Sequence, residues 1–345
     1  MNIGSLFLFN FSASFSSGGY KRLHAYAKWF NNNGGAWFAI HPRCADLTTE
    51  FVNNRFFIVK QPRFKRLYND DGYLKAIQAD IGQLGLYYSY GIPLYSRVAR
   101  INWFHLSNVL PLTATGVSLH LSDRLKFGIL GWKITRGLKY ADVISAESNN
   151  SLQLLDGYVP EKLFLSVNGS DDELRFQQDK INESKENLVT VVGTHKYKAL
   201  DDSLRVFEML KKENSGLRLI IIGNEQWVPK LFRGRNDVVI RGMIERSEVM
   251  ECLRRTKYYV STTRIENSYN AASEGILLAS ESYISDIGPH RELLANVHFD
   301  AIAVPGVNRP LLHVKRDDLS GVNLKDWDTV VVNMIARYRE ASRSL

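Results

Sequence analysis

The feature that most constrains the fold is a regular alternation of apolar strands and helices in the second half of the chain. Uninterrupted apolar runs are typical of strands that are covered on both faces of a sheet. Strands that alternate with helices in this way predict a doubly wound parallel sheet of the α/β class. The predicted strands are Leu188–Gly193, Leu217–Gly223, Asp237–Arg241, Tyr258–Ser261 and Ser282–Asp286. The helices between them include Leu200–Lys212 and one that runs from a Ser247 cap to Arg255.

The first half of the chain repeats the pattern with shorter strands. Its predicted strands are Asn2–Phe9, Ala36–Ile40, Phe56–Val59, Leu86–Tyr90, Ile101–Phe104, Ala141–Ser148 and Lys162–Asn168. Its predicted helices are Tyr20–Phe30, Asp70–Leu84, Asp123–Tyr140 and Ser151–Gly157. The apolar positions of the first helix recur at helical spacing. A second α/β domain of the same kind is therefore expected.

The 345 residues suffice for two domains of ordinary size. Residues 173–187 are charged and carry no periodic apolar pattern, so we place a linker there. The expected organisation is a first domain over 1–172, a second over 188–326 and a terminal amphipathic helix over 327–345.

Composition and charge limit the kinds of molecule that the protein is expected to bind. A net charge of +8 and a pI of about 9.3 favour anionic partners, whether nucleotide, lipid phosphate or nucleic acid. Nucleic acid is the weakest of these, because no nucleic-acid-binding signature is present. The two cysteines match no metal or redox spacing and fit a reducing cytosol. No apolar run is long enough for a membrane helix, and the apolar start of the chain favours a first strand over a signal peptide.

Two glutamates bracket the turn between the strand Tyr258–Ser261 and the helix after it. Glu266 lies in the turn and Glu274 about one helical turn into the helix. A strand, a polar turn and a helix present backbone N–H groups to an anionic ligand. Glu266 and Glu274 can therefore face one pocket from two sides. Alternatively, Glu274 is an exposed helix residue and Glu266 pairs with Arg264.

Two features of the first half also suggest a ligand site. Gly18 and Gly19 precede the first helix, where they either let a ligand approach the backbone or form a plain flexible turn. His105 follows a predicted strand end, where it either opens onto a ligand crevice or hydrogen-bonds the backbone.

The helix predicted over Asp123–Tyr140 is rich in basic residues. One interpretation is an ordinary solvated face on a helix packed against the sheet. The other is a surface for anionic lipid or for a lipid diphosphate.

The segment Glu266-Asn-Ser-Tyr-Asn-Ala-Ala-Ser-Glu274 resembles the signature of the family 4 glycosyltransferases, two glutamates separated by seven residues. The family usually has a glycine near the middle of the motif, where Tyr269 or Asn270 stands here, and an alanine where Gly275 stands. The resemblance spans nearly the whole chain, is strongest over 188–294 and is weak between 40 and 100. It implies the GT-B fold, in which two Rossmann-like domains face a central cleft and a C-terminal helix crosses back onto the first domain.

The resemblance also implies roles for individual residues. Glu274 would bind the nucleotide ribose, Glu266 would contact the transferred sugar, and Lys198 would neutralise the donor diphosphate. Further donor contacts would come from Gly18, Gly19, Thr194, Gly242, Met243, Ser268, Tyr269 and Asn270, and His105 would lie near the reacting sugar. The family keeps an arginine where Thr194 stands, and His195, Lys196 or Arg22 are cations that could replace it. Asn168, Gly169 and Asp171 match the run that ends the family's first domain.

The activity so implied is transfer of a hexose-type sugar, with retention and without metal or cofactor, from a nucleotide-diphosphate donor. The acceptor would be a glycan or lipid-linked oligosaccharide of a surface polysaccharide, and the protein would be cytoplasmic with a possible peripheral contact to anionic membrane. The same fold also carries sugar-nucleotide epimerases, phosphorylases and inactive binding modules. A dehydrogenase is disfavoured, because no Gly-x-Gly-x-x-Gly follows the first strand.

Overall fold

The computed structural model describes residues 6–60, 72–113, 119, 121–155, 157, 160–170, 174, 185–316, 319, 321–322 and 324–344. These residues form two compact units. The first unit contains the described residues up to 113, those from 121 to 169 and those from 325 onwards. The second contains the remaining described residues. Each unit is built on one seven-stranded sheet.

The sheet of the first unit has the strand order β3-β2-β1-β4-β5-β6-β7, and every neighbouring pair is parallel. Its strands are β1 (Phe7–Asn10), β2 (Trp37–Ile40), β3 (Arg55–Ile58), β4 (Leu84–Tyr90), β5 (Ala99–Leu106), β6 (Val143–Ala146) and β7 (Leu163–Leu165). Its helices are α1 (Ser17–Asn32), α2 (Leu47–Glu50), α3 (Gly72–Ile81), α4 (Leu110–Thr113), α5 (Leu121–Gly137) and α6 (Asn149–Gln153).

The core of the first unit is largely aromatic. Phe9 stacks on Phe38 of the neighbouring strand at 5.1 Å between ring centroids and meets Tyr26 of α1 edge-on at 5.5 Å. The last helix, α11 (Trp327–Arg343), packs into the same core through Val331 and Met334, both fully buried. The C-terminal helix therefore returns to the first unit, as the fold prediction expects.

The sheet of the second unit has the order β11-β10-β9-β12-β13-β15-β14. Its strands are β9 (Glu186–Val192), β10 (Arg218–Ile222), β11 (Val238–Gly242), β12 (Thr256–Ser261), β13 (Glu281–Ser285), β14 (Asp300–Ile302) and β15 (Leu311–Lys315). Its helices are α7 (Leu200–Glu213), α8 (Arg246–Arg255), α9 (Asn270–Leu278) and α10 (Gly288–Leu293). A short two-stranded sheet pairs β8 (Gly169–Ser170) with β16 (Lys325–Asp326).

Alternate residues of each central strand of the second unit face opposite layers of helices. Tyr259 packs with α8 and α9, whereas its neighbour Val260 packs with α7. Both faces of the sheet are therefore covered, which explains why the strands are continuous apolar runs.

The structure departs from the sequence predictions at a few element ends. Ser247 is not the helix cap, since α8 begins at Arg246 and Glu245 occupies the N-cap position. The antiparallel strands β14 and β15 were not predicted; they carry few residues and pair at the edge of an otherwise parallel sheet. Most of the predicted linker lies outside the described residues, and its last two positions belong to β9. Asp70 and Asp171 also lie outside them.

No helix in the described part of the chain is long and apolar enough to cross a membrane.

Candidate functional site

The sheet order of the second unit defines where a ligand can bind. β9 lies between β10 and β12, so the chain winds outwards in one direction from β9 and in the other from β12. In open α/β sheets the crevice at the carboxyl ends of two such strands is the usual ligand site. The loops after β9 and β12 carry Lys198 and Glu266 respectively. The topology therefore brings these two predicted residues together.

Glycines follow three neighbouring strands at this edge. Gly193, Gly223 and Gly242 have φ values of +95°, +150° and +65°, which side chains rarely adopt. A Cβ on Gly193 would lie 3.1 Å from Cε of Lys198, so the lysine stem runs directly over the glycine. Glycine at these three positions therefore lets the side chains of Lys198, Thr194 and Glu225 lie close against the strand ends.

Lys198 and Glu266 form an ion pair through Nζ and Oε1. Both side chains are mostly buried, so the pair is better shielded from water than a surface salt bridge. Arg264 pairs with a different carboxylate, since its Nη2 lies 3.6 Å from Asp202 Oδ2. The alternative in which Glu266 pairs with Arg264 is therefore wrong. Lys198 holds the Glu266 carboxylate at the edge of the sheet.

Glu274 is buried within α9, and its Oε1 accepts a hydrogen bond of 2.7 Å from Nη1 of Arg246. The interpretation of Glu274 as an exposed helix residue is therefore wrong. Arg246 is the first residue of α8 and remains more exposed than its partner. The pair places a fixed carboxylate beside the loop that follows Gly242. Such a carboxylate can accept hydrogen bonds from the hydroxyls of a ligand.

Gly275 explains one departure from the family pattern. A Cβ at this position would lie 2.1 Å from Cδ1 of the Tyr259 ring. Tyr259 is fully buried in β12, so the ring cannot move aside into solvent. Glycine at 275 is what lets α9 lie close against this tyrosine, and α9 in turn fixes the position of Glu274.

Ser268, Tyr269 and Asn270 form the start of α9. The Tyr269 side chain is buried in the core, and Ser268 is also buried. Ser268 and Tyr269 therefore offer a ligand their backbone groups at the helix N-terminus, where the partial positive charge of the helix favours an anion, and Asn270 is partly exposed.

Thr194 does not point towards solvent. Its side chain is buried, its Oγ1 donates a hydrogen bond of 2.9 Å to the carbonyl of Asn224, and its methyl group lies against Gly223. The threonine ties the loop after β9 to the loop after β10. Because the hydroxyl hydrogen is used in this bond, the contact that we predict between Thr194 and the nucleotide-sugar donor would involve the Thr194 backbone.

An aromatic pair lies beside this loop. The ring of His195 is 4.2 Å from that of Trp227 and stacks on Tyr197 at 5.2 Å. Met243, after β11, is 80% exposed. Flat and flexible apolar surfaces of this kind can receive a nucleobase.

His290 is a member of this site that the sequence analysis missed. It is fully buried in α10, and its Nδ1 donates to the carbonyl of Ser285 over 2.7 Å. Burial lowers the pKa of His290 to about 4, with the Glu266 carboxylate opposing the shift. The remaining ring nitrogen is therefore an acceptor at neutral pH. The sequence signal for it was the Pro-His pair that follows Ile287 and Gly288 after the predicted strand Ser282–Asp286.

The sheet of the first unit has its own switch point between β1 and β4. Gly18 and Gly19 lie in the first turn of α1, next to the end of β1. A Cβ on Gly19 would lie 2.9 Å from Oγ of Ser14 and 3.2 Å from the Tyr90 ring. Glycine at 19 therefore permits close packing of the helix start against the ends of β1 and β4, in addition to any contact with a ligand.

A buried polar network lies at the same edge of the first unit. Arg22 has no solvent exposure and donates to the carbonyls of Ser166 and Val167 at 2.8 and 3.0 Å and to Asn168 Oδ1 at 3.0 Å. Its Nε lies 3.9 Å from Oε1 of Glu147. The Arg22 guanidinium is therefore committed to partners within the first unit and is not available to replace the arginine of the family.

His105 also belongs to this network. It lies inside β5, is fully buried, stacks on Tyr90 at 5.0 Å and has Nδ1 2.8 Å from Oγ of Ser145. Its Nε2 lies 3.5 Å from Glu147 Oε1, longer than an ordinary hydrogen bond. The prediction that the His105 side chain opens onto a crevice is not matched, because neighbouring aromatic rings cover it.

Asn168 and Gly169 have structural tasks here. Asn168 is an acceptor for Arg22, and a Cβ on Gly169 would lie 2.5 Å from the Trp327 ring of α11. These two contacts within the first unit explain why Asn168 and Gly169 match the run that ends the family's first domain.

Two fully buried histidines, His105 and His290, predict a loss of stability in mild acid. Burial lowers the pKa of His105 from 6.5 to about 4, as it does for His290. Unfolded histidines bind protons below pH 6.5, so stability present above that pH falls as the pH drops to 4, by up to about 3 kcal/mol for each residue. Urea unfolding at pH 7.5 and pH 5 should show this loss. His290→Asn should reduce the pH dependence.

The matched control for that experiment is His298→Asn, because the His298 side chain is largely exposed. The pH dependence of this variant should equal that of the wild type. An equal pH dependence in His290→Asn as well would contradict the assignment.

Within the described residues, no group of three or more His, Cys, Asp or Glu side chains could hold a metal ion.

Comparisons with known proteins identify the fold. No protein-family model matches the sequence, and a search of curated proteins finds no match. Sucrose-phosphate synthase from Thermosynechococcus elongatus matches with a TM-score of 0.64 at 12% identity, over 98% of this chain and 99% of that chain. Anabaena HepE in complex with UDP-glucose gives 0.60 at 13%, over 97% and 91%. WaaG, a glycosyltransferase involved in lipopolysaccharide biosynthesis, gives 0.60 at 12%, over 98% and 94%.

A UDP-GlcNAc 2-epimerase from Neisseria meningitidis, bound to UDP-GlcNAc, also matches, with a TM-score of 0.51 at 10% identity over 97% of this chain and 93% of that chain. Likeness at this identity establishes the fold and not the reaction. The prediction of two Rossmann-like parallel-sheet domains of the GT-B type is confirmed.

Proposed function

We propose that the protein is a glycosyltransferase that takes a hexose-type sugar from a nucleotide-diphosphate donor. The observation that carries the proposal is the Lys198–Glu266 ion pair at the switch point of the second sheet, beside the N-terminus of α9. An ammonium group and a helix N-terminus together suit a diphosphate, and a carboxylate next to them suits a sugar. Similar folds bind UDP-glucose and UDP-GlcNAc in HepE and in the epimerase.

In this proposal, each residue of the site on the second unit has one role. Lys198 and the start of α9 stabilise the negative charge that develops on the leaving diphosphate. Glu266 faces the sugar and stabilises its positive charge, and Glu274, held by Arg246, accepts hydrogen bonds from the ribose hydroxyls. The aromatic pair of His195 and Trp227 and the exposed Met243 form the surface for the base.

The finer features of the reaction follow from the family 4 resemblance. The sugar is transferred with retention, and the leaving phosphate acts as base for the acceptor hydroxyl, without metal or cofactor. The acceptor is a glycan or lipid-linked oligosaccharide of a surface polysaccharide, bound by the first unit. The involvement of WaaG, which has a similar fold, in lipopolysaccharide biosynthesis favours this acceptor class.

A sugar-nucleotide epimerase is the second candidate, favoured by the likeness to the Neisseria enzyme. The two activities differ in whether they need an acceptor. An epimerase converts the nucleotide sugar without an acceptor. Conversion of this kind would replace the transferase proposal.

The test begins with a thermal-shift screen of nucleotides and nucleotide sugars. A ligand that binds the folded state at 100 times its Kd stabilises it by about 2.7 kcal/mol. We expect one nucleoside diphosphate series to raise the Tm, and Glu274→Ala to abolish most of that shift because the ribose loses its acceptor. Glu281→Ala is the matched control, since Glu281 is a partly buried carboxylate that pairs with His313 on β15.

The outcomes separate the possibilities. A shift lost in Glu274→Ala but kept in Glu281→Ala supports the donor site and identifies the base. A shift that is equal in all three proteins contradicts the ribose assignment. Donor binding without turnover against any acceptor would indicate a binding module.

A further inference from the structure

Helix α5 of the first unit has two apolar faces, of which one is buried. Gly131, Ile134 and Gly137 form the buried face. A Cβ on Gly131 would lie 2.2 Å from the carbonyl oxygen of Pro111, and one on Gly137 would lie 2.5 Å from that of Leu94. Backbone meets backbone at both positions, so the helix is fixed in one orientation on the unit.

The opposite face carries four exposed apolar side chains, which we call the apolar stripe. Leu121, Leu125, Ile129 and Trp132 are 75%, 63%, 47% and 56% exposed. Their spacings of four, four and three residues place them in one row on the helix. Single exposed apolar residues are ordinary, but an aligned row of four large ones on a fixed helix marks an interaction surface.

Cations surround the apolar stripe. Arg124, Lys126, Lys133 and Arg136 lie on the same helix, whose sole acidic residue is Asp123. The Arg136 guanidinium lies 4.9 Å from the Trp132 ring, directly within the stripe. Leucine and tryptophan on one face with Lys and Arg beside them is the composition of helices that lie in the headgroup region of a bilayer.

We propose that α5 docks the protein on anionic lipid surfaces, with the apolar stripe inserted between headgroups and the four cations on the lipid phosphates. Each such cation near an anionic surface should strengthen binding by about fivefold. A second copy of this chain suits the surface poorly. In a two-fold dimer the same cations would face one another, and the centres of protein interfaces are depleted in charge.

Vesicle flotation tests the proposal with the intact protein and no nucleotide sugar, so it neither needs nor measures sugar transfer. We expect binding to phosphatidylcholine vesicles that contain phosphatidylglycerol, weak binding to phosphatidylcholine alone and loss of binding at high salt. Leu125→Ser/Ile129→Ser and Arg124→Gln/Lys126→Gln should each lower the partition coefficient about tenfold or more. Leu231→Ser is the matched control, because Leu231 is 50% exposed on the second unit.

A second readout follows the tryptophan of the stripe. Transfer of Trp132 from water into headgroups should shift its fluorescence to the blue when anionic vesicles are added, and Trp132→Phe should remove that shift. Sedimentation velocity of the same variants tests for self-association.

Equal flotation with both vesicle types, or flotation unchanged in both double variants, would overturn the proposal. So would a dimer that the Leu125→Ser/Ile129→Ser variant dissociates in the absence of vesicle binding. Nucleotide thermal shifts should be the same in the wild type and the α5 variants, so a failure here leaves the transferase proposal standing, and the reverse also holds.

Discussion

Glu266→Gln is expected to lower the rate of sugar transfer by about 100-fold or more, the usual cost of removing one group that stabilises transition-state charge. Glutamine keeps the size of the side chain and removes its charge. Lys198 then loses its ion-pair partner, and the sugar loses the carboxylate that balances its positive charge. Binding of the nucleoside diphosphate alone should be kept or slightly strengthened, because a negative charge near the phosphates is gone. Transfer rates and nucleotide titrations measure the two effects separately.

A double-mutant cycle with Lys198→Met makes this prediction sharper. Residues that act as a unit in one transition state are strongly non-additive when removed together. The double variant should therefore be little slower than the worse of the two single variants.

Arg264→Gln is the matched control for Glu266. Arg264 lies in the same loop and pairs with Asp202, away from the Lys198–Glu266 ion pair. Its transfer rate should remain within a few-fold of the wild type. Undiminished transfer by Glu266→Gln would remove Glu266 from the reaction.

Much of the fold follows from local sequence because the strands of a parallel sheet are covered on both faces. The apolar composition of runs such as 217–223 predicts that these strands are buried. In the helices between them, the spacing of the apolar residues predicts which face is buried. Local sequence does not predict β14 and β15. They lie at the sheet edge, where three to five residues with ordinary alternation do not differ from a loop.

The site was partly predictable for a related reason. Glu266 and Glu274 follow a recognisable strand, and the carboxyl ends of parallel strands meet at one edge. Their partners could not be predicted. Lys198 is 68 positions away from Glu266 and Arg246 is 28 positions from Glu274, and only the sheet order decides which pairs meet. Similarly, the burial of His105 depends on Tyr88 and Tyr90 of a neighbouring strand.

Arg22 shows the limit of such predictions most clearly, because its partners come from a distant part of the first unit's chain. From the sequence it is only a cation that could replace the arginine of the family. In the structure it joins α1 to the loop 166–168, to Glu147 after β6 and to the face of Trp327 on α11, 5.6 Å away. Ser166, Asn168 and Glu147 are buried, so their polar groups depend on the guanidinium.

Arg22→Met should therefore destabilise the first unit by about 3–5 kcal/mol, the usual cost of removing one partner of a buried charged network. For a unit of this size the corresponding transition in scanning calorimetry should fall by about 10 °C. Arg22→Lys keeps the charge but lacks the planar fork of donors, so it should recover only part of the loss.

Two further variants distinguish a charge effect from a packing effect. Adding Glu147→Gln to Arg22→Met removes the carboxylate left without its cation, and should restore part of the lost Tm because the two changes share one network. Lys28→Met on the exposed side of the same helix should leave the transition within about 1–2 °C of the wild type. A wild-type transition in Arg22→Met would show that the network contributes nothing. A fall that Glu147→Gln does not relieve would assign the effect to packing, since the uncompensated carboxylate would then cost nothing.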